Sequence, residues 1–159
     1  MADTKGPVGS KASFNKLEET LNEYLAKKAP ALPENVKETL VSFGPYLAII
    51  GVVISIPAIL ALLGLGALGG SFSAFMGPAY GMRYGFGYIV GLVGSVVTIV
   101  LEAMAIQGLF KRSMGAWRLV YYSSLVTILS GILQGSVFGA IIGGIISLYI
   151  IFQLKSKYK

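Results

Sequence analysis

The sequence predicts an all-α protein: a bundle of four transmembrane helices preceded by a short amphipathic helix. Three observations lead there. Apolar residues make up 55% of the 159 residues and charged residues only 13%, about half the usual share for a soluble domain; mean hydropathy is +0.74. No charge occurs between Glu38 and Arg83, or between Arg118 and Lys155. A further apolar run from Phe86 to Phe110 holds one charge, Glu102, and about 20 apolar residues suffice to cross a bilayer.

The elements follow in order. Residues 1–12 read as a disordered tail. A helix fits Ser13 to Lys28, with Phe14, Leu17, Leu21, Tyr24 and Leu25 on one face and Ser13 as its N-cap. Pro30 and Pro33 break it, and a second short helix is expected over 33–43. Residues 13–43 thus form cytoplasmic or interfacial helices, and 44–159 the membrane domain.

The first span is expected over 46–68, with Pro57 freeing the carbonyl of Val53. The second covers 86–110 and stops at Lys111 and Arg112. The stretch from Leu119 to Leu154 would reach about 54 Å as one helix, against a hydrocarbon core of ~30 Å. It is therefore expected to fold back at Gly131–Gly135, giving spans 117–133 and 137–154. The glycine- and aromatic-rich segment 70–88 reads as a loop. Tyr80, Tyr84, Phe86 and Tyr88 would be its interfacial anchors, or it would be partly re-entrant.

Charge placement predicts orientation. Residues 1–45 carry six lysines and six acids, whereas 46–159 carry seven basic residues and one acid. Four spans gather Lys111, Arg112, Arg118, Lys155, Lys157 and Lys159 on the side of both termini and leave Arg83 on the other. The positive-inside rule then puts both termini in the cytoplasm. Lys111, Arg112, Trp117 and Arg118 read as topology determinants that also suit lipid headgroups, with Trp117 interfacial.

The chain has no cysteine and no histidine. That removes thiol nucleophiles, disulfides, Cys or His metal sites and histidine acid–base chemistry. A single membrane carboxyl leaves no acid–base pair, so no enzyme activity, metal or cofactor is expected. Nor is nucleic-acid binding, because the basic residues flank apolar spans. The glycines of 70–88 follow no strand and make no phosphate-binding fingerprint.

Glu102 is the candidate functional residue, since a carboxylate at membrane depth is costly. It belongs to a small and polar helix face: Gly87, Gly91, Ser95, Thr98, Glu102 and Ala105. The third span has a matching row in Ser123, Thr127, Ser130 and Gln134. The fourth has Gly135, Gly139, Gly143 and Ser147 in a four-residue repeat, a pattern that lets helix backbones approach closely. Counting inward from the charged ends places Ser55, Thr127 and Ser147 at the depth of Glu102. With no internal cation beside it, the carboxyl is expected to hold its proton. Donation to a hydroxyl would make it structural glue; loading and release of a proton or cation would make it a coupling site.

The stretch Gly108-Leu-Phe-Lys-Arg-Ser-Met-Gly-Ala-Trp-Arg118, together with Ile146-Ser-Leu-Tyr-Ile-Ile-Phe-Gln-Leu-Lys155, resembles small four-span bacterial membrane proteins of uncharacterised function. The likeness covers about residues 40–159. It implies a four-helix architecture in a prokaryotic inner membrane and carries no activity with it.

The expected function is that of a small non-enzymatic membrane protein, an accessory or scaffold subunit that associates through glycine-rich helix faces. The alternative is a small oligomeric transporter or channel with Glu102 as its proton- or cation-binding residue. The expected partners are the lipid bilayer and either further copies of the chain or a larger membrane complex.

Overall fold

A computed structural model describes residues 8–76 and 78–159, with side chains over 11–64 and 85–159. Helix α1 (Val8–Leu21) runs directly into a π-helical stretch, Asn22–Lys28. After an extended break come α2 (Glu34–Met76), α3 (Pro78–Phe110), α4 (Met114–Leu133) and α5 (Val137–Leu154), closed by a 3-10 turn at Lys155–Lys157. No strand occurs among the described residues. Helices α2 to α5 are each long and apolar enough to cross a membrane.

The helices differ in reach. At 1.5 Å per residue, α4 and α5, with 20 and 18 residues, are about 30 and 27 Å long. The 43 residues of α2 and 33 of α3 give about 65 and 50 Å. Each of α2, α3 and α4 packs on the next in sequence, and α3 hardly meets α5. The ring closes around Lys157 and Tyr158, which reach Glu34, Glu38 and Gly44 of α2.

The buried aromatic core lies at the end that carries Lys159. Trp117 stacks on Tyr121 with centroids 5.7 Å apart, and Phe152 meets both rings edge-on at 5.3 and 5.5 Å. Around them lie Val41, Ala105, Leu109 and Ile151. The Trp117 Nε1–H donates to the carbonyl of Ile151 at 2.8 Å, which satisfies the indole where it is buried. Tyr158 joins this core, and burial pushes its phenol above the ordinary value, against the pull of Arg112.

The N-terminal arm is clasped onto the same end. Gln153 is 4% exposed. Its amide donates to the Leu25 carbonyl at 2.8 Å and its oxygen accepts from the Leu32 N–H at 3.3 Å. Glu18 pairs with Lys155 at 2.8 Å and with Arg118 at 3.8 Å, and Glu38 pairs with Arg112. Lys159 exchanges backbone bonds with Arg112 and Met114 at 2.9 and 2.7 Å, which pins the C-terminus to the α3–α4 turn.

Several boundaries differ from the sequence expectations. Residues 8–12 belong to α1 rather than to a tail, and Ser13 lies inside that helix, not at its cap. Extending a formed helix adds one bond per residue without a new nucleus. The expectation for residues 1–7 lies outside the described residues. The separate 33–43 helix and the 46–68 span are one helix, α2, with Pro45 and Pro57 inside it. The 70–88 segment is not a loop: α2 reaches Met76 and α3 starts at Pro78, so the second apolar helix begins before residue 86. Proline suits a first helical turn, and glycine is tolerated where only a helix satisfies the backbone. The side chains of Tyr80, Arg83 and Tyr84 lie outside the described residues; Phe86 and Tyr88 sit on α3. The hairpin falls where expected, with Gly135 at φ +86°, a conformation that favours glycine.

Gln153→Leu leaves the Leu25 carbonyl and the Leu32 N–H without their partner. Stability is expected to fall by about 1–3 kcal/mol, and protease cleavage within 29–33 to accelerate. An unchanged cleavage rate would show that the arm is held by other contacts.

Candidate functional site

The middle of the bundle is built from small and hydroxyl-bearing residues. Gly94 of α3 lies directly against Ser130 of α4, and Gly91 lies beneath Gln134, whose Oε1 would stand 3.0 Å from an added Cβ. One turn further along α3, the hydroxyls of Thr98 and Thr127 are 3.4 Å apart. The next turn presents Glu102.

Glu102 faces an open recess of about 440 Å³, lined by Ser123, Ser124 and Thr127 of α4 and by Ala140, Gly143 and Ser147 of α5. The recess exists because α3 and α5 both pack on α4 while hardly touching each other. Small α5 residues leave its volume unfilled. Behind the carboxyl stands Gly51 of α2, where an added Cβ would lie 4.0 Å from Oε2. A second recess, of about 320 Å³, lies between α2, α3 and α4, with Ser55, Ser95, Thr98, Ser130 and Gln134 on its walls. Thr127 and Gly131 line both. Polar groups therefore follow one another from Gln134 at the α4–α5 turn to Ser123, next to the aromatic core.

Most of the hydroxyl protons are already committed. Thr127 donates to the Ser123 carbonyl at 3.0 Å, Ser123 to the Val120 carbonyl at 2.9 Å, and Ser55 to the Gly51 carbonyl at 2.7 Å. Ser124 and Ser147 are 3.2 Å apart, one hydroxyl donating to the other, which leaves one proton of this pair uncommitted. A hydroxyl that has given up its proton keeps acceptor lone pairs, so the recess offers oxygen lone pairs to a proton donor or a cation. Glu102 itself makes no hydrogen bond or ion pair among the described residues.

The structure thus brings Thr127 and Ser147 to the recess of Glu102, as expected, and links Thr98 to Thr127. Ser55 stands at the neighbouring recess instead, bonded to its own helix. Ser124 and Gly51 were missed. Ser124 lies beside the Ser123–Thr127–Ser130 row and pairs with Ser147 across the helix interface; Gly51 looked like one more small residue in an apolar run.

The glycine expectations need correction. Gly135, Gly139 and Gly143 are exposed, and Gly87 has nothing within 4 Å, so these four do not pack helix on helix among the described residues. Gly91 does. Close approach is supplied by Gly94, Gly108 on Ala116, Gly131 on Ala140, and Gly144 on Ile128. The expected headgroup cluster also divides. Lys111 is exposed, Arg112 and Arg118 are engaged by Glu38 and Glu18, and Trp117 is 2% exposed, a core residue and not an interfacial one. Its stack on Tyr121 and its bond to Ile151 explain the burial.

A Cβ at position 94 overlaps the Ser130 side chain. Gly94→Ala is expected to cost about 1–3 kcal/mol, and Ser130→Gly in the same chain to restore part of it. Unfolding in detergent measures both; a double variant no more stable than Gly94→Ala would rule out this contact as the cause.

No protein-family model matches the chain, and comparison with curated proteins and with solved structures gives no match.

Proposed function

We propose that this chain is a multi-pass integral membrane protein that binds a proton or a monovalent cation at Glu102 as one step of a transport path. One observation carries the reading: a carboxyl on an apolar helix, with no partner among the described residues, faces an open recess lined by hydroxyl oxygens. A carboxyl serving as structural glue would be expected to donate to one of those hydroxyls. Placement in the bilayer is supported by the outward apolar faces. Ile54, Leu60, Ile89, Met104, Ile142 and Ile145 are all more than half exposed, a belt that a soluble monomer rarely carries. Helix α1 and Lys159 lie at the end rich in Lys and Arg, which favours a cytoplasmic placement of that end. The aromatic core at that end stands between the recess and the face that carries Lys159, as a seal that a transport cycle would have to open.

The test is flux in liposomes that hold purified protein. Wild-type protein is expected to move protons or a monovalent cation, Glu102→Gln to abolish the movement, and Glu102→Asp to retain part of it. Equal flux in wild type and Glu102→Gln would end the coupling reading.

A second reading, an accessory or scaffold subunit associating through its glycine face, is favoured by a separate observation. Gly135, Gly139 and Gly143 are exposed in a row beside the recess, and small residues in a bilayer let a neighbouring helix approach closely. The chain has no cysteine, so Gly143→Cys gives a clean probe. Oxidation in native membranes is expected to yield a disulfide-linked product, and Phe110→Cys, on another helix, to yield none. A monomeric Gly143→Cys would argue against association through this face.

A further inference from the structure

We propose that the cleft between the N-terminal arm and the ends of α2 and α5 is a binding site for the phosphodiester headgroup of an anionic phospholipid. The cleft is about 500 Å³, and Lys27, Lys37 and Lys155 converge on it with Asn22 of the arm, over an apolar wall of Ala26 and Met114. This is not the exposed Lys111 loop: the lysines come from three separate elements, brought together by the clasp of the arm onto Gln153.

The local charge is unbalanced. Lys37, Arg112, Arg118, Lys155 and Lys157 share only three carboxylates, those of Glu18, Glu34 and Glu38. Lys27 makes no contact ion pair among the described residues, and Glu23, the acid whose carboxyl it helps to hold down, is already paired with Lys28. The Lys37 side chain is only 12% exposed, and its partner Glu34 is divided between it and Lys157. Ammonium groups held in a partly desolvated cleft with too few carboxylates favour an added anion.

The position selects the kind of anion. Lys155 follows the last apolar residue of α5, and the charge-free run of α2 begins just past Glu38, so the cleft stands where headgroups meet hydrocarbon. Basic pockets at that level suit phospholipid headgroups. A free phosphate would gain nothing from Ala26 and Met114, whereas a lipid lays its glycerol and first methylenes on them.

Native mass spectrometry of full-length protein in detergent, with equimolar dioleoylphosphatidylglycerol and dioleoylphosphatidylcholine, tests the assignment. Phosphatidylglycerol adducts are expected to predominate. Lys27→Gln should weaken them about five-fold, as each lysine near an anionic surface contributes, and Lys27→Gln with Lys37→Gln should weaken them further. Lys27→Arg and Lys11→Gln should leave them unchanged. Lys27 is exposed and outside every ion pair found, so its substitution does not threaten the fold. Equal binding of the two lipids, or full phosphatidylglycerol binding in the double variant, overturns the site. Displacement of phosphatidylglycerol by millimolar inorganic phosphate overturns the lipid assignment in favour of a soluble phosphate. None of these outcomes depends on Glu102, so this proposal and the transport reading fail separately.

Discussion

Trp117 is the point at which the long helices are tied together. Its ring stacks on Tyr121 and meets Phe152, its N–H holds the Ile151 carbonyl, and the Lys155 ammonium lies 4.9 Å from its centroid. Lipid gives no hydrophobic drive for one apolar helix to pack on another, so association in a bilayer rests on close packing and on polar bonds. Both are concentrated around this one residue. Away from it, the helices are held by sequential pairs alone, and the space between α3 and α5 stays open.

That uneven distribution connects the core to the recess. Four helices of similar girth packed throughout would bury Glu102 among their side chains. Here the packed end sets the angle of α3 and α5 against α4, and the small residues beyond it do not refill the gap. The Thr98–Thr127 and Ser124–Ser147 contacts line the opening without closing it. The clasp of the N-terminal arm draws on the same end of the bundle. Gln153 and Lys155 project from the last turn of α5 and the residue after it, one to the arm's backbone and the other to Glu18.

Much of the membrane architecture was legible in the sequence. Uncharged runs are a direct signal, because a bilayer excludes charges whatever the tertiary fold, and the 54 Å reach of the last run required a hairpin. The face of α3 that bears Thr98 and Glu102 was legible from spacing, since helical periodicity is local. Thr127 and Ser147 were legible as neighbours because four spans of one bundle share a depth scale. The role of Ser55 was not, for a count along the chain fixes a level only to about a turn and says nothing of azimuth: Gly51, one turn before Ser55, is the α2 residue beside Glu102, and Ser55 opens on the other recess with Thr98. The glycines misled for a similar reason. A four-residue repeat marks a smooth face of α5, and which neighbour meets that face is decided by how the helix is rotated about its axis.

Composition and local pattern alone determined that the chain is helical, that four segments can cross a membrane, where the last two turn back, and that one carboxyl lies among apolar residues. Those properties follow from the cost of exposing polar backbone and charge to lipid, which each segment meets by itself. Only the tertiary structure decided that Trp117 is a core residue, that Gln153 anchors the arm, that α2 runs unbroken through Pro45, and that Glu102 faces open space instead of a hydroxyl donor. Each depends on the rotation and crossing of whole helices, which a handful of packed side chains at one end of the bundle sets for all of them.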